Sequence, residues 1–324
     1  MHKLNDKRPS PSHIRAVNAA IDYIHGHLDD PLPLEAVART AAFSPYHFHR
    51  IFKAVAGENL SDYVRRARIE RAERWLVFRE DLPLRDVALE CGFPSLSVFS
   101  RAFKDVRGLT PTEYRLRYAM RADREETLAE QRFRREMTAM APDSPIGGIE
   151  RVLAYARREA RRANVRHLPD TTVVFTRHLG IARGAVNPSL ARSFDATFDA
   201  LRRQGRLSAS AVAIGASRDS PYTTPSHLCR YDACVAVDEA AGAVPGIESQ
   251  VLPGGKYAVL AISDTAAVSW LIGDLLVQQW LPASGYRLDV ERPFLEIYRN
   301  NPAQDPLGRV IIDLCVPILT RKTR

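Results

Sequence analysis

Cysteine is scarce in this 324-residue chain, with only Cys91, Cys229, Cys234 and Cys315. Four residues at such irregular spacing exclude a disulfide framework and a Cys-x-x-Cys metal site, so reduced thiols are expected. Long apolar runs are lacking too: no stretch approaches the ~20 residues that span a bilayer. The polar, proline-bearing segment Met1–Ser12 has no apolar leader core. These absences predict a soluble, cytoplasmic protein with no membrane partner, no metal and no resident cofactor. Charge of one sign is not concentrated either. The net charge of +8 splits into about +4 over residues 1–118 and about +2 over each of 119–163 and 164–324. Total charge therefore does not locate a nucleic-acid site, and placement must.

The chain does have enough apolar residues, 45% of the total, to fill two cores. Up to about residue 118 the pattern is helical. Residues 119–163 are rich in Arg, Glu and Ala and contain a break at Ala141-Pro142-Asp143-Ser144-Pro145 with Gly147-Gly148, the composition of a charged helical linker. Beyond it, Thr172–Phe175, Ala211–Ile214, Ala233–Val237, Tyr257–Ile262, Phe294–Tyr298 and Val310–Val316 read as strands. The expected fold is an all-α domain over 12–118 followed by an α+β domain over 164–324.

Each half repeats internally. Leu32-Pro33-Leu34 with Val37-Ala38 and Phe43 returns as Leu82-Pro83-Leu84 with Val87-Ala88 and Phe93. Phe48-x-Arg50-x-Phe52-Lys53 returns as Phe99-x-Arg101-x-Phe103-Lys104. In the second half Tyr231-Asp232-Ala233-Cys234-Val235 is echoed by Ile312-Asp313-Leu314-Cys315-Val316, and Leu168-Pro169 by Leu252-Pro253. Helices over Ser189–Arg203 and Thr265–Trp280 then give two strand-helix-strand-strand units.

In the first half, Leu34, Val37, Ala38 and Ala41 make one face of a short helix, and a turn follows at Ala42-Phe43. Ser44 and Pro45 suit an N-cap and a first helical position, because Ser accepts an orphan N–H and Pro has none to satisfy. Phe48, Ile51, Phe52 and Val55 then form a buried stripe, which leaves Tyr46, His47, His49, Arg50 and Lys53 outside. Residues 82–106 repeat the scheme. Gly92 stands at the turn, Phe99, Ala102, Phe103 and Val106 form the stripe, and Ser95, Leu96, Ser97, Ser100 and Arg101 face out. Two such helix-turn-helix units, held by one long helix over Leu60–Val77, could place their second helices in successive major grooves, ~34 Å apart. A single chain then suffices to grip double-stranded DNA, so a monomer is enough. Arg65, Arg66, Arg68, Arg71 and Arg74 on the long helix read as a phosphate track or, with Glu70 and Glu73 among them, as a solvated face. His47 and His49, two apart, lie on different helix faces and do not make a metal pair.

The run Gly92-Phe93-x-Ser95-x-Ser97-x-Phe99-Ser100-Arg101-x-Phe103-Lys104, continuing to Gly108-x-Thr110-Pro111-x-x-Tyr114-Arg115, resembles the signature of the AraC/XylS regulators. Ser44 to Lys53 is similar to the first recognition helix of that family. One departure is Ala42, where many members carry Gly; Ala at positive φ costs ~1 kcal/mol. The resemblance implies that Tyr46, His49 and Arg50 face one groove and Leu96, Ser97, Ser100 and Arg101 the other. It also implies a transcription regulator, an activator by analogy, with RNA polymerase as a further partner.

Arg292-Pro293-Phe294-Leu295-Glu296-Ile297-Tyr298, read as a strand, sets Phe294, Glu296 and Tyr298 on one face. If Leu295 and Ile297 pack on helices, the other face presents a carboxylate between two rings. That combination suits a lipophilic cation, although a mid-strand Glu facing water is an equally ordinary reading. The stretch from Gly246 to Tyr298, through Leu252-Pro253-Gly254-Gly255-Lys256-Tyr257 and Gln279-Trp280-Leu281-Pro282, resembles the GyrI-like ligand-binding domain. The resemblance implies a groove lined by Glu296 with Phe294 and Tyr298, and with Trp270 as a further wall; Tyr222 and Phe194 are weaker candidates. The partners expected are therefore double-stranded DNA and a small-molecule effector. Two other functions stay open. One is a constitutive DNA-binding protein whose C-terminal domain docks a protein. The other is a hydrolase of reactive ligands with Glu296 as general base, for which no Gly-x-Ser-x-Gly elbow or metal triad speaks.

Overall fold

The computed structural model describes residues 9–79, 81–118, 126–140, 146–208, 211–221, 223–237 and 247–321. It divides into two compact units, Met1–Ala119 and Met120–Arg324.

The first unit is helical: α1 (Pro11–Gly26), α2 (Leu34–Thr40), α3 (Pro45–Ala56), α4 (Leu60–Phe78), α5 (Leu84–Glu90), α6 (Leu96–Arg107) and α7 (Pro111–Tyr118). Side chains set most of the helix starts. Ser10, Ser44, Asn59 and Ser95 each accept a backbone N–H from the first turn of the helix that follows. Thr110 and Glu113 cap α7 reciprocally, Thr110 N donating to Glu113 Oε2 at 2.7 Å and Glu113 N to Thr110 Oγ1 at 3.3 Å. Val17, Ile21, Ile24, Leu28, Val37, Phe48 and Phe52 form the core around α1–α3. A row of rings, Phe93–Phe99–Phe103–Tyr114, fills the second helix-turn-helix with centroids 5.2 to 5.5 Å apart.

The long helix α4 packs against α3, α5, α6 and α7; of its five arginines Arg65 is exposed, and Arg66, Arg68, Arg71 and Arg74 are half-buried. Glu70 and Glu73 are buried. Arg66 bridges Glu58 (2.6 Å) and Glu70 (2.8 Å), and Glu73 pairs with Arg107 at 2.6 Å. Burial pushes the Glu73 carboxyl up to about 7 against the pull of Arg107. Arg68 donates to the carbonyls of Leu28 (2.9 Å) and Asp30 (2.8 Å), tying α4 to the loop ahead of α2. Arg65 pairs in the open, with Asp105 at 3.5 Å.

The second unit begins with α8 (Leu128–Met140) and α9 (Ile146–Ala160), in the stretch expected to be a linker; the break read at 141–145 lies outside the described residues. Both helices pack on α11 (Ala266–Leu275), so they are part of this unit. Part of the charge that made them look solvated is satisfied internally. Glu130, fully buried, pairs with Arg157 and accepts from Gln279, while Arg132 reaches Asp274 at 2.8 Å. Ala129 N also donates to Gln278 Oε1 at 3.0 Å, in the π-helical turn Leu276–Trp280 that continues α11.

The sheet of this unit is built from β1 (Asn164–Leu168), β2 (Thr171–Leu179), β3 (Ala213–Ser217), β4 (Arg230–Ala236), β5 (Glu248–Leu252), β6 (Gly255–Thr265), β7 (Tyr286–Leu288), β8 (Phe294–Tyr298) and β9 (Arg309–Thr320). Helix α10 (Pro188–Arg203) lies between β2 and β3 in the chain, α11 follows β6, and the short α12 (Leu281–Ala283) precedes β7. Pairing is antiparallel in the order β1-β6-β9-β8-β3-β4-β2-β5, with β7 beside β9. The two Leu-Pro turns mark an exchange of strands: β1 runs into β2 but pairs with β6, and β5 runs into β6 but pairs with β2. The turns touch where they cross. Gly254 N donates to Asp170 Oδ1 at 2.7 Å, and a Cβ on Gly254 would stand 2.5 Å from the Leu168 carbonyl oxygen. At the middle of the sheet β3 meets β8, with Gly215 opposite Glu296.

The sheet buries both faces. Val174, Val235 and Leu201 pack together under α10. The other face carries Val173, Phe175, Cys234, Tyr257, Leu295 and Cys315. All four cysteines are buried and none is in a disulfide, and burial beside Asp313 pushes the Cys315 thiol up to about 12.

Candidate functional site

On α3, Tyr46, His49, Arg50 and Lys53 recur at helical spacing and are all exposed, opposite the buried Phe48, Ile51 and Phe52. Tyr46 is 76% exposed, an unusual position for a tyrosine that merely folds a domain. His47 is exposed as well, but its ring is set edge-on to Phe43 (5.0 Å) and His13 (5.9 Å), where it braces the start of α3. On α6 the matching stripe is Ser97, Ser100, Arg101 and Lys104, exposed except for the half-buried Ser100. Lys104, the counterpart of Lys53, completes this stripe and was legible from the repeat. Leu96 is 40% exposed at the start of α6, and the Ser95 hydroxyl is occupied in capping, accepting from Val98 N at 3.3 Å. Two helices thus present matched outer rows of Arg and Lys with polar neighbours. Such rows supply bidentate donors for guanine and point charges for phosphate.

The turns ahead of these helices have the same shape. Ala42 adopts φ +56° where Gly92 adopts +75°, and Phe43 N and Phe93 N donate to Ala38 O (3.2 Å) and Ala88 O (2.9 Å). Ala42 therefore keeps the turn that Gly makes elsewhere and carries its strain.

In the second unit Glu296 sits in the central strand pair of the sheet. Tyr231 Oη donates to Glu296 Oε2 at 2.6 Å and Tyr298 Oη donates to the same oxygen at 2.7 Å, the two hydroxyls lying 3.0 Å apart. Phe194 of α10 closes on Tyr298 edge-to-face at 5.3 Å. Burial, and then the adjacent carboxylate, hold both phenols well above the ordinary tyrosine range, so they remain protonated donors. The result is a carboxylate fixed by two O–H donors among three aromatic rings.

The face on which Glu296 lies differs from the sequence expectation. Leu295 and Ile297 join the core on the side away from α10. Glu296 aligns with Gly215, and Gly215 with Ala233, whose carbonyl accepts from Thr197 of α10 at 3.1 Å. The carboxylate is therefore on the helix-bearing face. Leu314 of β9, its neighbour on the other side, lies under Gly273 of α11.

Of the residues expected around Glu296, Tyr298 touches it and Phe294 shares its side of β8. Trp270 instead carries the Arg183 guanidinium at 5.0 Å, and Arg183 pairs with Asp274 at 3.0 Å. Burial pushes Asp274 up to about 6 despite Arg183 and Arg132. Tyr222 lies outside the described residues. Tyr231 was missed because it was read only as part of a repeated strand. The available signal was the mismatch within that repeat, where Tyr231 stands in the place of Ile312.

On the opposite face Asp232 is fully buried and binds Arg177 at 2.7 and 3.1 Å, Arg218 at 2.8 Å and Gln250 at 3.0 Å. The two guanidinium groups overcome burial and hold its carboxyl down at about 2. The second copy keeps one such pair, Arg299 with Asp313 at 2.6 Å.

Comparison with known proteins assigns both units. The sequence profile of the GyrI-like small molecule binding domain matches residues 163–319, and that of a helix-turn-helix domain matches residues 37–117. The regulatory protein SoxS of Escherichia coli (strain K12) is 34% identical over 106 residues, 33% of this chain and 98% of that protein. The right origin-binding protein of the same strain is 39% identical over 93 residues, 29% of this chain and 32% of its own length. Among solved structures, the C-terminal domain of AraT, a response regulator from Geobacillus stearothermophilus, is 28% identical over 38% of this chain and 98% of that chain, with a TM-score of 0.32. With SoxS matched along nearly its whole length and a GyrI-like profile matching residues 163–319 of the second unit, this chain belongs to the AraC/XylS family of transcription regulators and carries a GyrI-like small molecule binding domain.

Proposed function

We propose that this chain is a ligand-modulated transcription regulator, an activator working with RNA polymerase, whose first unit reads double-stranded DNA and whose second unit binds a small lipophilic cation. For DNA the reading rests on α3 and α6. Arg50 and Arg101 occupy the same place in the two outer rows, with Tyr46, His49, Lys53, Leu96, Ser97 and Ser100 around them. His47 and Ser95 support these helices through packing and capping.

For the effector, one observation carries the reading: the Tyr231 and Tyr298 hydroxyls both donate to a single oxygen of Glu296. They stabilise the anionic carboxylate within an aromatic setting, and the rings add apolar contact and cation–π attraction for a flat or bulky cation. Phe294, Trp270 and Tyr222 are the outer candidates for the same groove. Occupancy alters DNA binding to the extent that the ligand prefers one conformation of the chain over another.

The test is a thermal-shift screen of the full chain against lipophilic cations, neutral amphiphiles and bile-acid-like anions, with Glu296→Gln in parallel. A ligand at 100 times its dissociation constant stabilises its site by ~2.7 kcal/mol. Stabilisation by cations alone, abolished in Glu296→Gln, is the expected result. No shift with any class sinks the effector reading and favours a domain that docks a protein.

A further inference from the structure

Between β2 and α10 the chain makes an excursion that the fold does not require. In the second strand-helix-strand-strand copy β6 ends at Thr265 and α11 begins at Ala266, with nothing between them. In the first copy β2 ends at Leu179 and α10 begins at Pro188, so residues 180–187 are extra. The two ends of this segment stay together, since Ser189 and Ser193 of α10 lie 3.3 and 3.2 Å from the ring nitrogens of His178. Its middle reaches a different helix. The Arg183 guanidinium lies over the Trp270 ring at 5.0 Å and pairs with Asp274 at 3.0 Å. A Cβ on Gly184 would stand 3.7 Å from the Ala267 Cβ. A compact loop whose ends lie close together is a form often tied to function.

Ala267, Trp270 and Asp274 make one stripe of α11, at i, i+3 and i+7. Packing sets the direction in which it faces. Helix α10 packs on β2 and β4, and α11 on β6 and β9, so the central strands β3 and β8 with Gly215 and Glu296 lie between the two helices. Helix α9 packs on α11 and leads into β1, the edge strand beyond β6, so it takes the outer flank. Gly273, one turn from Trp270, lies over Leu314, the register neighbour of Glu296. The stripe therefore faces the gap between the helices, and residues 180–187 bridge that gap from the α10 side. Gly180 at φ +93° and Gly184 at φ +66° supply pivots at the root and near the tip.

We infer that residues 180–187 form a lid across the Glu296 groove, latched by Arg183, and that an entering lipophilic cation displaces the Arg183 guanidinium from the Trp270 ring. One aromatic face serves either the protein's own cation or that of the ligand. The closed lid lowers apparent affinity by the fraction of chains that are open. The inference rests on the effector reading of Glu296.

The test uses the full chain and tetraphenylphosphonium, with tetraphenylborate as an anion of the same shape. Gly184→Cys with Ala267→Cys puts two thiols at the Cβ separation of a disulfide, ~3.8 Å. Oxidation of this double variant should slow tetraphenylphosphonium association about tenfold or more by holding the lid shut, and dithiothreitol should restore the rate in the same sample. Arg183→Gln should tighten tetraphenylphosphonium binding about tenfold, the combined worth of one cation–π contact and one partly exposed ion pair. Arg132→Gln removes the other arginine from Asp274 and should keep the wild-type affinity. Equal association by the oxidised and reduced double variant overturns the lid, as does wild-type affinity in Arg183→Gln. Equal tightening by Arg183→Gln and Arg132→Gln overturns the latch, because the effect then belongs to Asp274. Wild-type chain that binds tetraphenylphosphonium no better than Glu296→Gln does, or no better than it binds tetraphenylborate, sinks the effector reading, and the lid with it.

Discussion

The phenol of Tyr231 occupies the space that a side chain on Gly215 would need. A Cβ at residue 215 would stand 1.6 Å from Tyr231 Oη and 2.4 Å from its ring carbon Cζ. Tyr231 belongs to β4 and Glu296 to β8, and β3 runs between them with Gly215 directly opposite Glu296. The bare backbone at this position lets a tyrosine cross one strand and reach a carboxylate two strands away. Gly215 is thus as much a part of the site as the residues that bear its chemistry.

Gly215→Ala is therefore expected to displace Tyr231 while leaving the composition of the groove unchanged. Forcing one methyl into a filled space costs ~1–3 kcal/mol, which a denaturant titration of the full chain would read in the transition of unit 2. Cation binding should weaken together with stability. An Ala variant that keeps wild-type stability and wild-type cation affinity would show that the Tyr231–Glu296 contact is dispensable.

Asp232 provides a second test on the other face of the sheet. Asp232→Asn leaves the Arg177 guanidinium, 2% exposed, with a neutral partner. Breaking a buried pair from one side costs ~3–5 kcal/mol. The pH dependence has a definite sign. The Asp232 carboxyl is held down from 3.8 to about 2 in the fold, so its contribution is fully present above pH 3.8 and is lost as pH falls towards 2. Acid denaturation of wild type should steepen in that window, and Asp232→Asn should lose that part of the slope. Identical acid limbs in the two proteins would refute the assignment.

The fold was legible where local chemistry dictates it. The Ser44-Pro45 cap, paired phenylalanines and two Leu-Pro echoes located the helices and strands that they flank within a few residues. Three things were hidden, each for a physical reason. Val106 continues the Phe99–Phe103 periodicity but is 41% exposed, because spacing alone does not say where a neighbouring helix stops covering a face. Glu73 and Glu130 are buried although their neighbours read as solvated, since a sequence window contains charges but not the arginines that reach them from other helices. Tyr231 and Gly215 meet Glu296 only through strand register, so Glu296 was found from its own strand while its partners were not.

The two turns of the helix-turn-helix units give a pair of opposite predictions. Ala42 sits at φ +56°, and Ala42→Gly should stabilise unit 1 by up to ~1 kcal/mol by relieving that strain. Gly92→Ala should destabilise it by more than that. A Cβ there would lie 2.1 Å from the Leu28 carbonyl oxygen and 2.7 Å from Arg68 Cζ, the contact that ties α4 to the loop ahead of α2. Thermal denaturation of the two variants should shift in opposite directions. A shift of the same sign in both would mean that one of the turns is not built as described.

Arg50 and Arg101 hold equivalent places on α3 and α6, and both are exposed with no ion pair among the described residues. If each reads a guanine edge, Arg50→Ala and Arg101→Ala should each weaken binding to a selected site by ~1–3 kcal/mol and relax sequence preference at one half of that site. If instead they anchor phosphates, affinity should fall alike for all sequences and the salt slope should drop by ~0.9 per variant. Site selection from a random duplex pool, followed by salt titration of each variant, separates base reading from anchoring. Either result keeps both helices on the DNA. Unchanged affinity and unchanged slope in both variants would remove α3 and α6 from the interface and leave the first unit without a reader.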